Sequence, residues 1–181
     1  MNKLIKFCTV VGTQVIIILI IILFKVAVLS GGTPVMLKVQ PVDPRDLLRG
    51  DYMVLRYERV SQIDKSYFAY NNVKVGDTVY VPLANYRGEK YSYAQYGISK
   101  VLPTGKGSYY RETVFIKGRV SADMGNSYNV LYNIEEYFIP EGVGQNPGWS
   151  ATRNDVGVEV LVGDNGDAVL KQLYVDGEVW P

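Results

Sequence analysis

The sequence predicts a mainly β protein, in which one N-terminal transmembrane helix precedes a single antiparallel domain, either a β-sandwich or a barrel-like fold. Three observations predict this fold class. The 181-residue chain opens with a long apolar stretch, and the remainder contains several short runs of alternating or β-branched residues. Gly, Asp, Asn and Pro separate these runs. About 150 residues follow the apolar stretch, which is enough for one domain and short of what two usually need.

The apolar stretch covers residues 7–29, and Gln14 and Lys25 are its only strongly polar side chains. At about 1.5 Å per residue it is about 34 Å long, which is enough for a hydrocarbon core of about 30 Å. Lys25 lies near its end, where a long side chain carries its ammonium group to the lipid headgroups. We therefore expect residues 7–29 to span a lipid bilayer.

The charges around this stretch orient it in the membrane. The α-amino group, Lys3 and Lys6 precede it without any acidic residue. The positive-inside rule places residues 1–6 in the cytosol and the domain on the opposite side of the membrane. A cleaved signal peptide is the alternative, because a basic segment, an apolar segment and the small residue Ser30 are all present. The long apolar segment and the absence of an A-x-A cleavage site favour an uncleaved anchor.

The composition excludes several classes of function. The net charge of +1, without any run of Lys or Arg, disfavours nucleic-acid binding. The chain has no His, and its single Cys, Cys8, lies in the apolar stretch. Disulfides within the domain, zinc sites built on His or Cys, and Ser-His-Asp or Cys-His catalysis are thereby excluded. We predict no cofactor, and an enzyme is disfavoured although carboxylates, Lys, Tyr and hydroxyls are present.

The β domain is predicted to comprise residues 35–181, after a linker at residues 30–34. Residues 35–39 are β-branched and mostly apolar, and they predict the first strand. Residues 40–50 carry two Pro, two Asp and two Arg, which predicts an ordered polar loop. Residues 51–60 alternate imperfectly between polar and apolar side chains, which indicates a second strand.

Further strands are predicted where β-branched and aromatic residues follow a turn signal: 75–81, 91–102, 112–120, 129–132, 156–162 and 168–175. A short helix is predicted at residues 134–138, because two Glu lie in its first turn and Pro140 ends it. Loops are predicted at residues 105–109 and 142–153. The Gly-Asp-Asn-Gly-Asp segment at 163–167 is the strongest hairpin signal in the chain.

The oxygen-rich hairpin segment also suggests a calcium site. Asp164, Asn165 and Asp167 supply side-chain oxygens. An EF-hand loop needs wider ligand spacing and an acidic residue at its end, where this chain has Val175. A plain hairpin turn is therefore favoured, and no metal site is predicted.

The segment PVDPRDLLRGDYMVLRY at residues 41–57 resembles the signature of the bacterial GDYXXLXY family. Its named positions are filled by Gly50, Asp51, Tyr52, Leu55 and Tyr57, and the preceding motif residues are Pro41, Asp43, Pro44, Arg45 and Asp46. Residues 134–142 resemble the same family, with a second cluster of Glu135, Tyr137, Glu141 and Gly142. Asn133 departs from the family pattern, in which we expect Gly.

The resemblance implies a protein of the bacterial cytoplasmic membrane without an assigned biochemical activity. Members of the family are found beside, or fused to, multi-pass membrane proteins. The resemblance therefore implies a multi-pass membrane protein as the partner, in addition to the lipid bilayer.

The charges of the signature allow two interpretations. The charged residues of the signature alternate in sign closely enough to pair with one another: Asp43, Arg45, Asp46, Arg49 and Asp51. This pattern is typical of a salt-bridged loop, with Tyr52 and Tyr57 packed beside it. The functional alternative is a recognition surface, in which Arg45 or Arg49 holds a carboxylate or phosphate of a partner. We expect Asp51 to be structural and at least one of the two arginines to contact the partner.

Two hydrolase hypotheses compete with a binding domain. Glu135 and Glu141, with Glu136 beside them, are candidates for acid–base chemistry, although turns and capping also explain them. Ser30 and Lys74 resemble the nucleophile and base of type I signal peptidases, but the Ser-Met-x-Pro surroundings are absent. We therefore predict a non-enzymatic, extracytoplasmic binding or assembly domain that acts with another membrane protein.

Overall fold

A computed structural model describes residues 3–40, 52–69, 72–85, 89–103, 113–138 and 155–180. Within these ranges the chain forms one long α-helix, a single 3-10 turn at Lys65–Tyr67 and a series of strands. The α-helix and the strands are α1 (Lys3–Gly31), β1 (Thr33–Gln40), β2 (Tyr52–Val54), β3 (Arg56–Tyr57), β4 (Gln62–Asp64), β5 (Thr78–Ala84), β6 (Tyr93–Ala94), β7 (Val114–Asp123), β8 (Ser127–Leu131), β9 (Glu136–Phe138), β10 (Val156–Val162), β11 (Ala168–Val175) and β12 (Glu178–Trp180). The predicted fold class, mainly β with one N-terminal apolar helix, is confirmed.

The strands form a nearly closed antiparallel arrangement, so the domain is barrel-like. Among the described residues, one sheet has the order β12-β11-β10-β1-β3 and a second has the order β4-β8-β7-β5-β6. Strands β2 and β9 pair separately. Of the two architectures that the sequence left open, the barrel-like one is therefore adopted.

The core is filled by the inward-facing residues of these strands. In β1, Val35, Leu37 and Val39 are buried and their neighbours are more exposed, as expected for a strand with one face on the core. β10 is buried along almost its whole length, and β1 and β11 pair with it on either side within the sheet. Each fully buried Val or Leu side chain stabilises the fold by about 1.5–3 kcal/mol.

Helix α1 is long and apolar enough to cross a membrane. Its segment Ile5–Leu23 has a mean hydropathy of 2.4 and none of it is buried. A signal sequence near an N-terminus can meet the same criteria of length and composition. Only Gly32 lies between α1 and β1, so the predicted linker at residues 30–34 is wrong. Helix α1 contacts β10 and β11.

The predicted strand at residues 51–60 is instead two short strands with different partners. β2 pairs with β9, whereas β3 pairs with β1. Leu55 lies between them, with a fully buried side chain and an N–H that donates to the Glu135 carbonyl at 2.6 Å. Turn residues follow, and Arg59 adopts a φ of 56°. The alternation of residues 51–60 therefore does not describe one continuous strand.

The predicted helix at residues 134–138 is wrong, because Glu136–Phe138 forms β9. A single helical turn is costly to nucleate, whereas pairing with β2 satisfies the same backbone groups. The strand predicted at 91–102 is also wrong in extent. It contains only β6 and isolated bridges at Ile98 and Ser99. Gly97, with a φ of 98°, lies between β6 and these bridges.

The remaining strand predictions are confirmed with shifted ends. β5, β7 and β8 each overlap the predicted range, and β10 and β11 match theirs. The sequence did not predict β4 or β12. Of the loop predicted at residues 40–50, Gln40 instead ends β1 and residues 41–50 lie outside the described residues, as do the predicted loops at 105–109 and 142–153.

Candidate functional site

The second half of the signature lies beside the second motif cluster. In the β2–β9 ladder, Tyr52 pairs with Phe138 and Val54 pairs with Glu136. The hydrogen bond from the Leu55 N–H to the Glu135 carbonyl extends this ladder by one residue. We call this arrangement of residues 52–61 and 132–138 the signature junction. Two motifs that are distant in the sequence thus form one structural unit.

Tyr57 is the central side chain of the signature junction. Its side chain is buried, and its hydroxyl donates a hydrogen bond to the Ile134 carbonyl. Its N–H donates to Ser61 Oγ at 2.8 Å, and its backbone pairs with Val39 of β1. Burial, and the nearby Glu135 carboxylate, raise the pKa of Tyr57 well above 10.0. The phenol is therefore a neutral donor that ties three segments of the chain together.

Tyr132 makes the reciprocal contact. Its buried hydroxyl donates to the Val60 carbonyl at 2.8 Å. Burial, and again Glu135, raise its pKa well above 10.0. The Tyr57 hydroxyl thus donates from β3 to the segment before β9. The Tyr132 hydroxyl donates from that segment back to the turn after β3. Tyr132 is not among the predicted site residues, although its position in the Tyr128, Val130, Tyr132 alternation indicates an inward-facing residue.

Glu135 holds the turn between β8 and β9. One carboxylate oxygen accepts from the Tyr132 N–H, and the other accepts from the Ile134 N–H at 3.0 Å. Between these donors, Asn133 adopts a φ of 60°, at the position where the family pattern predicts Gly. Asn tolerates this left-handed conformation better than most residues that carry a side chain. The departure from Gly therefore keeps the backbone conformation.

The other residues of the second cluster lie in different surroundings. Tyr137 is partly buried, and its ring centroid lies 6.3 Å from that of Trp180. Glu136 is exposed. Glu141 and Gly142 lie outside the described residues, so the structure places Glu135 of the proposed carboxylate pair and not its partner. Glu135 serves here as a backbone cap.

The first half of the signature lies outside the described residues. It comprises Pro41, Asp43, Pro44, Arg45, Asp46, Arg49, Gly50 and Asp51. Tyr52 is described only through its backbone pairing with Phe138. The two described ends of this segment are Gln40, at the end of β1, and Tyr52, at the start of β2.

Among the described residues, no hydrogen bond joins Ser30 to Lys74. Ser30 lies in α1. Lys74 precedes β5, and its N–H donates to Asp77 Oδ2 at 2.8 Å. Lys100 lies 2.7 Å from the same Asp77 oxygen, and its hydrogen bond together with the Lys74 N–H lowers the pKa of Asp77. The Gly76-Asp77 turn thus starts a strand, as the sequence predicts.

The hairpin at residues 163–167 uses its oxygens within the fold. Asp167 lies 3.1 Å from Lys117 Nζ, and the Asp167 N–H donates to Asn165 Oδ1 at 3.0 Å. Gly166, with a φ of 84°, packs against the backbone of β7. Within the part of the chain that the structure describes, no group of three or more His, Cys, Asp or Glu side chains is placed to hold a metal ion.

Comparison with protein-family models matches residues 14–173 to the family described as GDYXXLXY protein. The match begins within α1 and ends within β11, so it includes the signature junction and most of the barrel-like domain. Among curated proteins and among solved structures, no protein matches the chain.

Proposed function

This chain belongs to the GDYXXLXY family, and we propose that it is a non-enzymatic, membrane-anchored binding or assembly domain that acts with another membrane protein. The observation that carries the proposal is the exposed apolar helix. None of Ile5–Leu23 is buried by the domain, and its mean hydropathy is 2.4. Water is a poor environment for such a surface, whereas lipid covers it and a helix satisfies its own backbone hydrogen bonds.

The orientation follows from charge. Lys3 and Lys6 precede the span, so the N-terminus lies in the cytosol and the barrel-like domain lies outside it. Membership of the family supports the bacterial cytoplasmic membrane as the site. Because Gly32 alone separates α1 from β1, the domain is held directly at the membrane surface.

The signature supplies the proposed partner surface. β1 starts beside the anchor and ends at Gln40, the residue before the signature segment, about 23 Å along the strand from the helix. Residues 52–61 attach the other end of the segment to the core through Tyr57. Arg45 and Arg49 thus belong to a segment with both ends fixed, and a guanidinium group binds carboxylate or phosphate as a fork. The partner therefore needs an acidic extracytoplasmic part.

The use of Glu135 supports a binding role over hydrolysis. Both of its carboxylate oxygens accept backbone hydrogen bonds, from Tyr132 and Ile134. A carboxylate with these bonds has a structural role in the turn, which weighs against its use in the hydrolase alternative.

A reporter fusion tests the orientation. A reporter that is active only outside the cytosol, fused after Pro181, is expected to be active. Activity of a cytosol-only reporter at the same position would overturn the extracytoplasmic assignment.

Co-purification tests the binding role. The full-length chain is extracted in detergent, and the proteins that co-purify are identified by mass spectrometry. If the arginines contact the partner, Arg45→Ala or Arg49→Ala is expected to abolish recovery of a membrane protein that the wild type retains and to leave the thermal melt nearly unchanged. Lys74→Ala, which removes an exposed charge elsewhere, is the control. Uniform loss of stability in both arginine variants would refute the recognition role.

A further inference from the structure

A polar cavity lies where the helix meets the barrel-like domain. Its volume is 270 Å³, and its wall includes Lys25 of α1, Thr78 of β5, and Lys117 and Arg119 of β7. Asn133 and Asp167 complete its polar lining. The cavity therefore joins the anchor to the domain through side chains that carry charge or donate hydrogen bonds.

The charges in this cavity leave an excess of positive charge. Lys117 Nζ lies 3.1 Å from Asp167 Oδ1, so these two groups neutralise each other. Among the described residues, Lys25 and Arg119 form no ion pair. Both side chains are exposed and remain available to an anion. A cavity with two unneutralised cations attracts an anionic group.

The donors of the cavity suit a phosphate group. Arg119 offers a planar fork of N–H groups that matches two phosphate oxygens, and Lys25 adds a flexible point charge. The Thr78 hydroxyl and the Asn133 amide supply neutral donors in the same wall. Asn133 stands where the family pattern predicts Gly, so this chain adds an amide that Gly lacks.

The position of the cavity along α1 indicates that the phosphate belongs to a lipid. Lys25 follows the apolar segment Ile5–Leu23 by about 3 Å along the helix, where hydrocarbon gives way to headgroups. It lies about 9 Å before the helix end at Gly31. Because Lys25 lines the same cavity as residues of β5 and β7, the domain lies beside α1 at the level of Lys25. At this level the phosphates of lipids are the most concentrated anions.

We propose that this cavity binds the phosphate of an anionic phospholipid headgroup, held by Arg119 and Lys25. The bound lipid connects the anchor to β7 and so orients the barrel-like domain on the bilayer. This inference rests on the proposed membrane anchorage, but it does not depend on the signature or on a protein partner.

Lipid retention by the full-length chain tests this proposal. The protein is purified in detergent, phosphatidylglycerol or phosphatidylcholine is added, and bound lipid is counted by native mass spectrometry. We expect one phosphatidylglycerol per chain, retained at lower concentrations than phosphatidylcholine. Arg119→Gln or Lys25→Gln is expected to weaken phosphatidylglycerol retention about tenfold, because each removes a charge-assisted hydrogen bond. Lys74→Gln is the matched control, because Lys74 is exposed and does not line the cavity.

Each other outcome counts against the proposal. Equal retention of the two lipids, or unchanged retention in both cavity variants, overturns it. Displacement of phosphatidylglycerol by an equal concentration of inorganic phosphate identifies a free-phosphate site and overturns the lipid assignment. Lys25→Gln lies outside the β domain, so it remains informative if Arg119→Gln folds poorly. A chain that leaves the membrane on alkaline extraction disproves the anchorage itself, which separates that failure from failure of lipid binding.

Discussion

Replacing Tyr57 with Phe tests the structural role of the signature junction. The substitution keeps the buried ring and removes the hydroxyl, which is the donor that the structure shows for the Ile134 carbonyl. Ile134 is 4% exposed, so water does not easily replace this donor. A buried acceptor left without a partner costs about 1–3 kcal/mol. For a domain of this size, each kcal/mol lowers the Tm by about 2–4 °C.

The assay is urea unfolding of the full-length chain in detergent, followed by tryptophan fluorescence and circular dichroism. The matched control is Tyr80→Phe, because Tyr80 lies partly exposed in β5 and its hydroxyl donates no hydrogen bond among the described residues. The control is expected to change the free energy of unfolding by less than about 0.5 kcal/mol. A Tyr57→Phe loss no larger than this would refute the structural role of the hydroxyl.

The reciprocal geometry adds a test by double substitution. The Tyr57 hydroxyl donates to Ile134, and the Tyr132 hydroxyl donates to Val60. Because both bonds join the same two segments, Tyr57→Phe and Tyr132→Phe are expected to couple by about 0.5–3 kcal/mol. Additive losses would mean that the two hydroxyls act independently.

Two further predictions follow from buried groups of the same region. Gly118→Ala places a Cβ 2.4 Å from Val130 Cγ1 and 2.7 Å from Tyr132 Cε1, so urea unfolding is expected to show a loss of about 1–3 kcal/mol. Gly31→Ala, with no atom within 4 Å of the added Cβ, is the control, and an equal loss there would contradict the packing argument. Burial raises the pKa of Tyr57 and Tyr132 well above 10.0, so the folded state holds these protons more tightly than the unfolded state. The stabilisation that these two tyrosines contribute is therefore fully present below about pH 10 and is lost as the pH rises further. Urea midpoints measured at several alkaline pH values are expected to fall less steeply in Tyr57→Phe than in the wild type.

Local patterns were sufficient for several elements. The apolar run that forms α1 and the alternation that forms β1 are recognisable without any partner, because the period of hydrophobic residues reports the local backbone conformation. The β10–β11 hairpin was predicted with its strand bounds, since Gly, Asp and Asn in its turn are local signals too. The family signature was likewise visible in the sequence, and the family match confirms it.

The sequence by itself determined the fold class, the apolar helix and the strands with clear periodicity. Only the tertiary structure decided that residues 51–60 divide at Leu55 and that residues 136–138 form a strand, because both outcomes depend on β2 pairing with β9. Tyr57 and Ile134 are 77 residues apart, and no local pattern specifies a contact over that separation. The cavity beside Lys25 likewise exists only where α1, β5, β7 and β11 meet. Periodicity reports which face of an element is buried, whereas packing of the whole chain decides what that face contacts.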